Sequence, residues 1–392
     1  MRILRIIDTL DPRTGGPGAA LRALTPMLQR LGHETVVVTL DPPSTPHRRL
    51  PGGKVVPLGP ALGSYRFARS LESWLEKHIA WFDAVIVHGL WQYPGPCVRR
   101  VAVRHGVPYY VYPHGMLDPW FRRAHPGRHL KKWLYWQFAE RHVLRDAEAV
   151  LFTCEEERRL ARGTFAPYLC AERVVAYGSA ELPDDVQAQD DAWFSAHPEL
   201  RARPYWLFLG RIHGKKGLDL LLHAWLEQET AQPGGPALVI AGPAEDAELE
   251  RRLREKAAAT EAGRSVIWAG LVTGPAKWGA LRHAEAMVLP SHQENFGVAV
   301  AESLAAGTPV LLSNRVNIWR EITQDGAGFV RPDDAAGTAA LLAAWRRLSV
   351  REREAMRDKA RRCHARRFRL EAVAHSFLKT IRCAGAPLRQ AS

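Results

Sequence analysis

Two glutamates, Glu294 and Glu302, stand in the run PSHQENFGVAVAESLAAGTPVLLS. A strand-like stretch, AMVLP, ends just before Ser291, and a polar loop then carries Glu294 and Asn295. A helix is predicted over about 296–306, with Glu302 inside it. On one continuous helix the two carboxylates would sit roughly 12 Å apart and about 80° around the axis. With Glu294 in the loop, both can instead accept hydrogen bonds from hydroxyls on one elongated ligand. The helix start adds backbone N–H groups at Phe296 and Gly297 and the positive end of the helix dipole. Gly297 lets a ligand come close to the backbone. A capping carboxylate followed by a solvated helical glutamate would give the same pattern.

A second run, YWLFLGRIHGKKGLDLLLHAW, places Arg211, Lys215 and Lys216 in a short loop after a strand. Cations there, beside glycines, suit a diphosphate: arginine binds two oxygens in a fork and lysine acts as a movable point charge. A basic surface turn reads the same way. The loop lacks G-x-x-x-x-G-K-[ST], so it is not a P-loop. Near the N-terminus, TLDPRTGGPGAALRAL sets Gly15, Gly16 and Gly18 between a first strand and a first helix. Pro17 breaks any G-x-G-x-x-G pattern, but a phosphate or sugar can still approach such a turn. His88 (VIVHGLW) and His114 (VYPHGMLDPW) each follow a strand and precede a glycine, where an imidazole can hydrogen-bond a hydroxyl or serve structure. Finally, WFRRAHPGRHLKKWLYWQFAERHVLR interleaves Arg122, Arg123, Arg128, Lys131 and Lys132 with Trp120, Trp133, Tyr135 and Trp136. That mixture fits a membrane surface, a nucleic acid, or an amphipathic helix burying its aromatics.

These residues need strands to place them. In the first half, RILRII, TVVVTL, AVIVHG, YYVYPH, AVLFT and RVVAYG alternate with helical patterns. The second half starts afresh with YWLFLG, ALVIAG, SVIWAG, AMVLPS and PVLLS. Such alternation predicts βαβ units and two mostly parallel sheets. Expected boundaries are a first domain over 1–178, a linker over 179–203, a second domain over 204–365 and a terminal helix over 366–392. In parallel sheets ligands bind beyond the carboxyl ends of the strands, and Gly16, His88, His114, Arg211, Lys216 and Glu294 are expected just after strands.

Composition narrows the class. No run of about 18 apolar residues predicts a spanning helix. MRILRIIDTLD is too short and too soon charged for a secretory signal and reads as a strand. Five scattered cysteines without C-x-x-C spacing argue against a disulfide framework or a structural zinc site, so a reducing cytoplasm is expected. The net charge of +13 admits nucleic acid, an anionic membrane or anionic small molecules as partners. An arginine-, alanine- and proline-rich composition from a GC-rich genome would also produce it.

Taken together, ENFGVAVAE with SLAAGTPVL, the loop GRIHGKKG, the N-terminal glycine turn and the strand-loop HG resemble the family 4 glycosyltransferases over nearly the whole chain. The resemblance implies a GT-B fold: α/β, with two Rossmann-like doubly wound domains facing a cleft and a C-terminal helix crossing back to the first. It implies a metal-independent, retaining hexosyltransferase, with a UDP- or GDP-sugar as donor substrate and no other cofactor. Arg211 and Lys216 would neutralise the departing diphosphate, and Lys216 fits the motif spacing better than Lys215. Glu294, Asn295 and the N–H groups of Phe296 and Gly297 would hold the transferred sugar, and Glu302 the ribose. Backbone near Val272 would meet the base, Gly16 would approach the diphosphate, and His114 would lie near the reacting sugar. The acceptor would be a glycan or lipid-linked glycan on the first domain. The segment with Arg122, Arg123, Lys131, Lys132, Trp133 and Trp136 would meet the inner face of the plasma membrane. A small soluble acceptor is the alternative, and a non-catalytic nucleic-acid-binding protein a distant one, since no nucleic-acid motif is present. The chain departs from the family pattern at Tyr177–Ala180, where YGSA replaces an N-G-V-like stretch.

Overall fold

The structure is a computed structural model that describes residues 1–11, 14, 16–120, 122, 126–231 and 234–383. The chain divides into two compact units: Met1–Gly178 with the segment starting at Leu370, and Ser179–Arg369.

Among the described residues, the first unit holds seven parallel strands. They are β1 (Arg2–Ile7), β2 (Glu34–Thr39), β3 (Gly53–Pro57), β4 (Ala84–His88), β5 (Tyr109–Tyr112), β6 (Ala149–Phe152) and β7 (Glu172–Val174). Their order in the sheet is β3-β2-β1-β4-β5-β6-β7. The central strands read as short runs of valine, isoleucine and tyrosine because helices bury both faces of the sheet. Leu4, Ile6, Val85, Val87, Val111 and Val150 lie in one continuous core with Leu71, Leu75, Val98 and Val101 from the helices. The helix Leu370–Cys383 packs on the helix Gly16–Arg30 within this unit. Tyr110 donates its hydroxyl to the Ile381 carbonyl at 3.1 Å.

The second unit holds β8 (Tyr205–Leu209), β9 (Ala237–Ala241), β10 (Val266–Gly270), β11 (Ala286–Leu289), β12 (Val310–Ser313) and β13 (Gly328–Arg331). They run parallel in the order β10-β9-β8-β11-β12-β13. In both sheets the order reverses beside the first strand, between β1 and β4 and between β8 and β11. The crevice at such a reversal is where doubly wound sheets bind ligands.

Strands β3 and β13 lie outside the expected set. GKVVP and GFVR are short and only partly buried at the sheet edges, so neither forms a long apolar run. The stretch 179–203, expected as a linker, contributes to the second unit. Its helix Val186–Ala196 is capped by Asp185 and packs on the helix Gly274–His283. It buries Trp193 and Phe194, and Asp190 accepts from His283 at 2.7 Å. The unit boundary falls at Arg369–Leu370, between the helices Val350–Arg367 and Leu370–Cys383.

Candidate active site

Three loops meet at the carboxyl end of the second sheet. After β8 comes a single 3₁₀ turn, Gly214–Lys216, closed by Gly217 at φ +63°. A Cβ on Gly217 would lie 2.1 Å from the Pro290 carbonyl oxygen, so only glycine lets this loop press against the end of β11. The His292 N–H donates to the Lys215 carbonyl at 2.8 Å and ties the two loops together. The loop after β12 completes the arrangement. Glu294 N–H donates to the Arg315 carbonyl, and Asn317 N–H donates to the Glu294 carbonyl, both at 3.0 Å. The Glu294 backbone is thus held on both sides, and its carboxylate forms an ion pair with Lys216. Both side chains are mostly enclosed, at 15% exposure for Lys216 and 19% for Glu294. Pairing therefore takes place where water screens it poorly.

The helix after Glu294 starts later than expected. It runs Val298–Ala305, with Gly297 as its N-cap at φ +76°. Phe296 precedes it, and its ring is buried edge-on against Phe368 at 5.5 Å. This anchor turns the chain at Gly297 over the Glu294 side chain, whose Cγ lies 3.4 Å from where a Gly297 Cβ would stand. Glu302 is inside the helix, as expected, and it has a partner that its sequence context does not reveal. Lys277 Nζ lies 2.6 Å from Glu302 Oε1, with 24% and 12% of the side chains exposed. Lys277 belongs to the helix that follows β10 and the Val272 loop. The only signal in the sequence is one cation shortly after a strand end.

Arg211 forms an ion pair with Glu245. Its Nη1 donates to Glu245 Oε2 at 2.6 Å, and both side chains are close to half exposed. The two expected phosphate cations therefore differ: Lys216 is enclosed with Glu294, and Arg211 is held outward by Glu245. Lys215 lies within the field of Arg211, Glu245, Glu294 and Lys216. Burial, then Arg211, lowers its pKa from the ordinary lysine value. Arginine and lysine positions that repel one another favour an anion between them.

In the first unit, Gly16 opens the helix Gly16–Arg30, while Gly15 lies outside the described residues. His114 sits at φ +52°, beside Gly115 at φ +75°, just past β5. The resemblance implies a place near the reacting sugar. Both ring nitrogens have protein partners: Nε2 with His88 Nδ1 at 3.0 Å, and Nδ1 with the Tyr177 hydroxyl. His88 Nε2 in turn accepts from Arg5 Nε at 3.2 Å. Burial first, then the Arg5 charge, lowers the pKa of His114 to about 3, and His88 is depressed by the same two causes. Both imidazoles are therefore neutral at physiological pH.

The basic-aromatic segment divides. Trp133 and Lys131 are exposed, as is Arg122, and Arg123 lies outside the described residues. Trp136, expected at a membrane, is 1% exposed. Its indole stacks on Phe165 and donates to the Pro167 carbonyl at 3.1 Å, which makes it core. Lys132 turns inward, with Nζ 4.9 Å above the Trp91 ring. The exposed face is more apolar than expected, with Leu130, Trp133, Leu134 and Phe138 at helical spacing. The turn Leu62–Phe67 presents Leu62 and Phe67 beside it, joined by Tyr65 and Tyr135, whose hydroxyls are 3.0 Å apart. No helix among the described residues is long and apolar enough to cross a membrane.

Comparisons with known proteins match both halves of the chain. A model of the glycosyl transferase 4-like domain matches residues 15–178, and one of the glycosyl transferases group 1 matches residues 189–362. A phosphatidyl-myo-inositol mannosyltransferase of Mycolicibacterium smegmatis is 27% identical over 84% of this chain and 80% of its own length. A D-inositol 3-phosphate glycosyltransferase of Jonesia denitrificans is 32% identical over 179 residues, but the match spans only 41% of that protein and 44% of this one. The solved sucrose-phosphate synthase of Thermosynechococcus elongatus has the same fold, with a TM-score of 0.72 at 19% identity, over 97% of this chain and 98% of that one. With one domain model on each half and the two parallel sheets they require, the chain belongs to the family 4 glycosyltransferases of GT-B fold.

Proposed function

We propose that the protein is a retaining hexosyltransferase that moves a sugar from a nucleotide sugar to a lipid-linked or glycolipid acceptor. The observation that carries this reading is the enclosed Lys216–Glu294 pair beside the strand-order reversal of the second sheet. A diphosphate would draw Lys216 away from Glu294, with Lys215 and Arg211 adding charge as the leaving group develops it. Released from the lysine, Glu294 would accept hydroxyls of the transferred sugar. Asn295 and backbone N–H groups near Phe296 and Gly297 would complete that grip. Glu302, positioned by Lys277, would accept the ribose hydroxyls, and the Val272 loop would receive the base. In the first unit, Gly16 and His114 are the proposed substrate contacts.

The acceptor reading rests on the exposed face of Leu130, Lys131, Trp133, Leu134 and Phe138, with Leu62 and Phe67 alongside. Apolar side chains flanked by cations suit the interface of an anionic bilayer, and would hold the protein peripherally where a lipid acceptor is found. The printed name of the Mycolicibacterium relative, a phosphatidyl-myo-inositol mannosyltransferase, points the same way. A thermal-shift panel of UDP- and GDP-sugars tests the reading. One donor should raise the melting temperature, and its nucleotide alone should raise it less. No shift with any nucleotide or nucleotide sugar would overturn the reading.

A further inference from the structure

The first unit contains a buried charge that the proposed chemistry does not use. Arg5, in the middle of β1, is 2% exposed, and its Nη1 has no hydrogen-bond partner. Its guanidinium lies 5.4 Å from the Phe377 ring centre. Because Arg5 Nε can only donate, His88 Nε2 must accept, and the proton of His88 must sit on Nδ1. That Nδ1–H then donates to His114 Nε2, so the His114 proton must sit on Nδ1 and point at the Tyr177 oxygen. Three N–H bonds therefore point the same way, outward from Arg5, and each fixes the next.

A carboxylate holds the turn at its backbone. Glu157, 3% exposed on the helix Glu155–Ala161, accepts from the Gly115 N–H at 2.6 Å. It also accepts from the Thr153 N–H and hydroxyl, each at 2.7 Å. Tyr112 stacks on His114 with ring centres 5.6 Å apart, and Tyr177 flanks it. Among the described residues, Arg5, His88, Tyr112, Tyr177 and Glu157 are titratable groups that face the His114–Gly115 turn. A non-glycine residue at positive φ persists only where its surroundings over-determine it, and here they do.

We infer that Arg5 and Glu157 are positioning residues that hold the His114–Gly115 turn, Arg5 through the His88 ring and Glu157 at the Gly115 N–H, and keep His114 as its Nδ1–H tautomer. The assignment of a role in transfer rests on the proposed glycosyltransferase reading, while the clamp itself does not. With its ring nitrogens committed, His114 serves as a rigid wall, and its strained backbone and ring edge are what a substrate meets. Losing either clamp frees the ring to flip between tautomers and the turn to relax.

The test uses the full-length protein with nitrogen-labelled histidine, comparing wild type, Arg5→Met and Glu157→Gln by NMR of the imidazole nitrogens. Wild type should show His88 and His114 each as one Nδ1–H tautomer, and Arg5→Met a mixture at both. Glu157→Gln keeps the side-chain shape and should disturb His114 more than His88. It is the second variant should Arg5→Met fail to fold. In transfer assays the folded variants should lose about tenfold or more in kcat, with donor KM changed less than about threefold. Arg5→Lys, which keeps the charge, should recover part of the kcat. A single wild-type tautomer with wild-type kcat in folded variants would overturn the inference. If wild type neither transfers sugar nor responds to any nucleotide sugar, the function reading fails, and the imidazole spectra still decide the clamp.

Discussion

Lys216 and Glu294, 78 residues apart in sequence, form an ion pair across the loops that follow β8 and β11. Each therefore occupies the other where a donor would need both. Removing one partner leaves the other enclosed and uncompensated, so a single substitution removes a contact and also perturbs the group left behind. Lys216→Ala and Glu294→Ala should each lower transfer by about 10²–10³-fold, the scale of losing one oriented electrostatic contact. Circular dichroism and melting should show a retained fold. Undiminished transfer by both variants with the correct donor would remove this pair from the site.

Lys277 gives Glu302 a fixed orientation at a distance of 2.6 Å. If Glu302 meets ribose, Lys277→Ala should weaken binding of the free nucleotide by about tenfold and change kcat much less. Calorimetric titration of UDP and GDP measures this. Unchanged nucleotide affinity would make the pair a structural one.

The sequence pattern reached the fold because buried parallel strands write themselves as short apolar runs, and eleven such runs mark strands of the two sheets. Strands β3 and β13 escaped because GKVVP and GFVR each hold only two consecutive apolar residues between glycine or lysine and proline or arginine. Glu294 and Lys216 were legible as types in loops after strands. Their pairing was not, since it depends on Gly217 pressed against Pro290, a contact between loops far apart in sequence. The Arg211 ion pair was hidden for a related reason: its partner Glu245 comes from the loop after β9. Trp133 and Trp136 look equivalent in sequence. A five-residue π turn, Trp136–Glu140, sends one of them inward against Phe165.

Leu130, Lys131, Trp133, Leu134 and Phe138 face outward. Trp133→Ala combined with Phe138→Ser should reduce sedimentation with anionic vesicles by about tenfold or more, given about 25 cal/mol per Å² of apolar surface. Lys131→Glu should weaken binding chiefly at low salt. Equal recovery of wild type and variants with anionic vesicles would exclude this face as the docking surface.

Glu140 ends the π turn fully buried. Its Oε2 accepts from the Trp91 N–H at 3.2 Å, while Oε1 has no hydrogen-bond partner. Burial raises its pKa from the ordinary 4.5 to about 8, against the smaller opposing effects of the Trp91 N–H and Lys132. The folded protein therefore holds this proton more tightly than the unfolded chain. Its contribution to stability is fully present below pH 4.5 and is lost as pH rises through about 8. A tenfold difference in proton affinity between the folded and unfolded chain is worth about 1.4 kcal/mol, so a few kcal/mol accumulate across that window. Glu140→Gln keeps the shape and an acceptor for Trp91 but has no proton to lose. Denaturant unfolding from pH 5 to pH 9 should show wild type losing stability relative to the variant. The gap should widen steadily from pH 5 to about pH 8 and then level off. Parallel stability–pH curves for the two proteins would mean that Glu140 is ionised in the folded state, with Lys132 as its counter-charge.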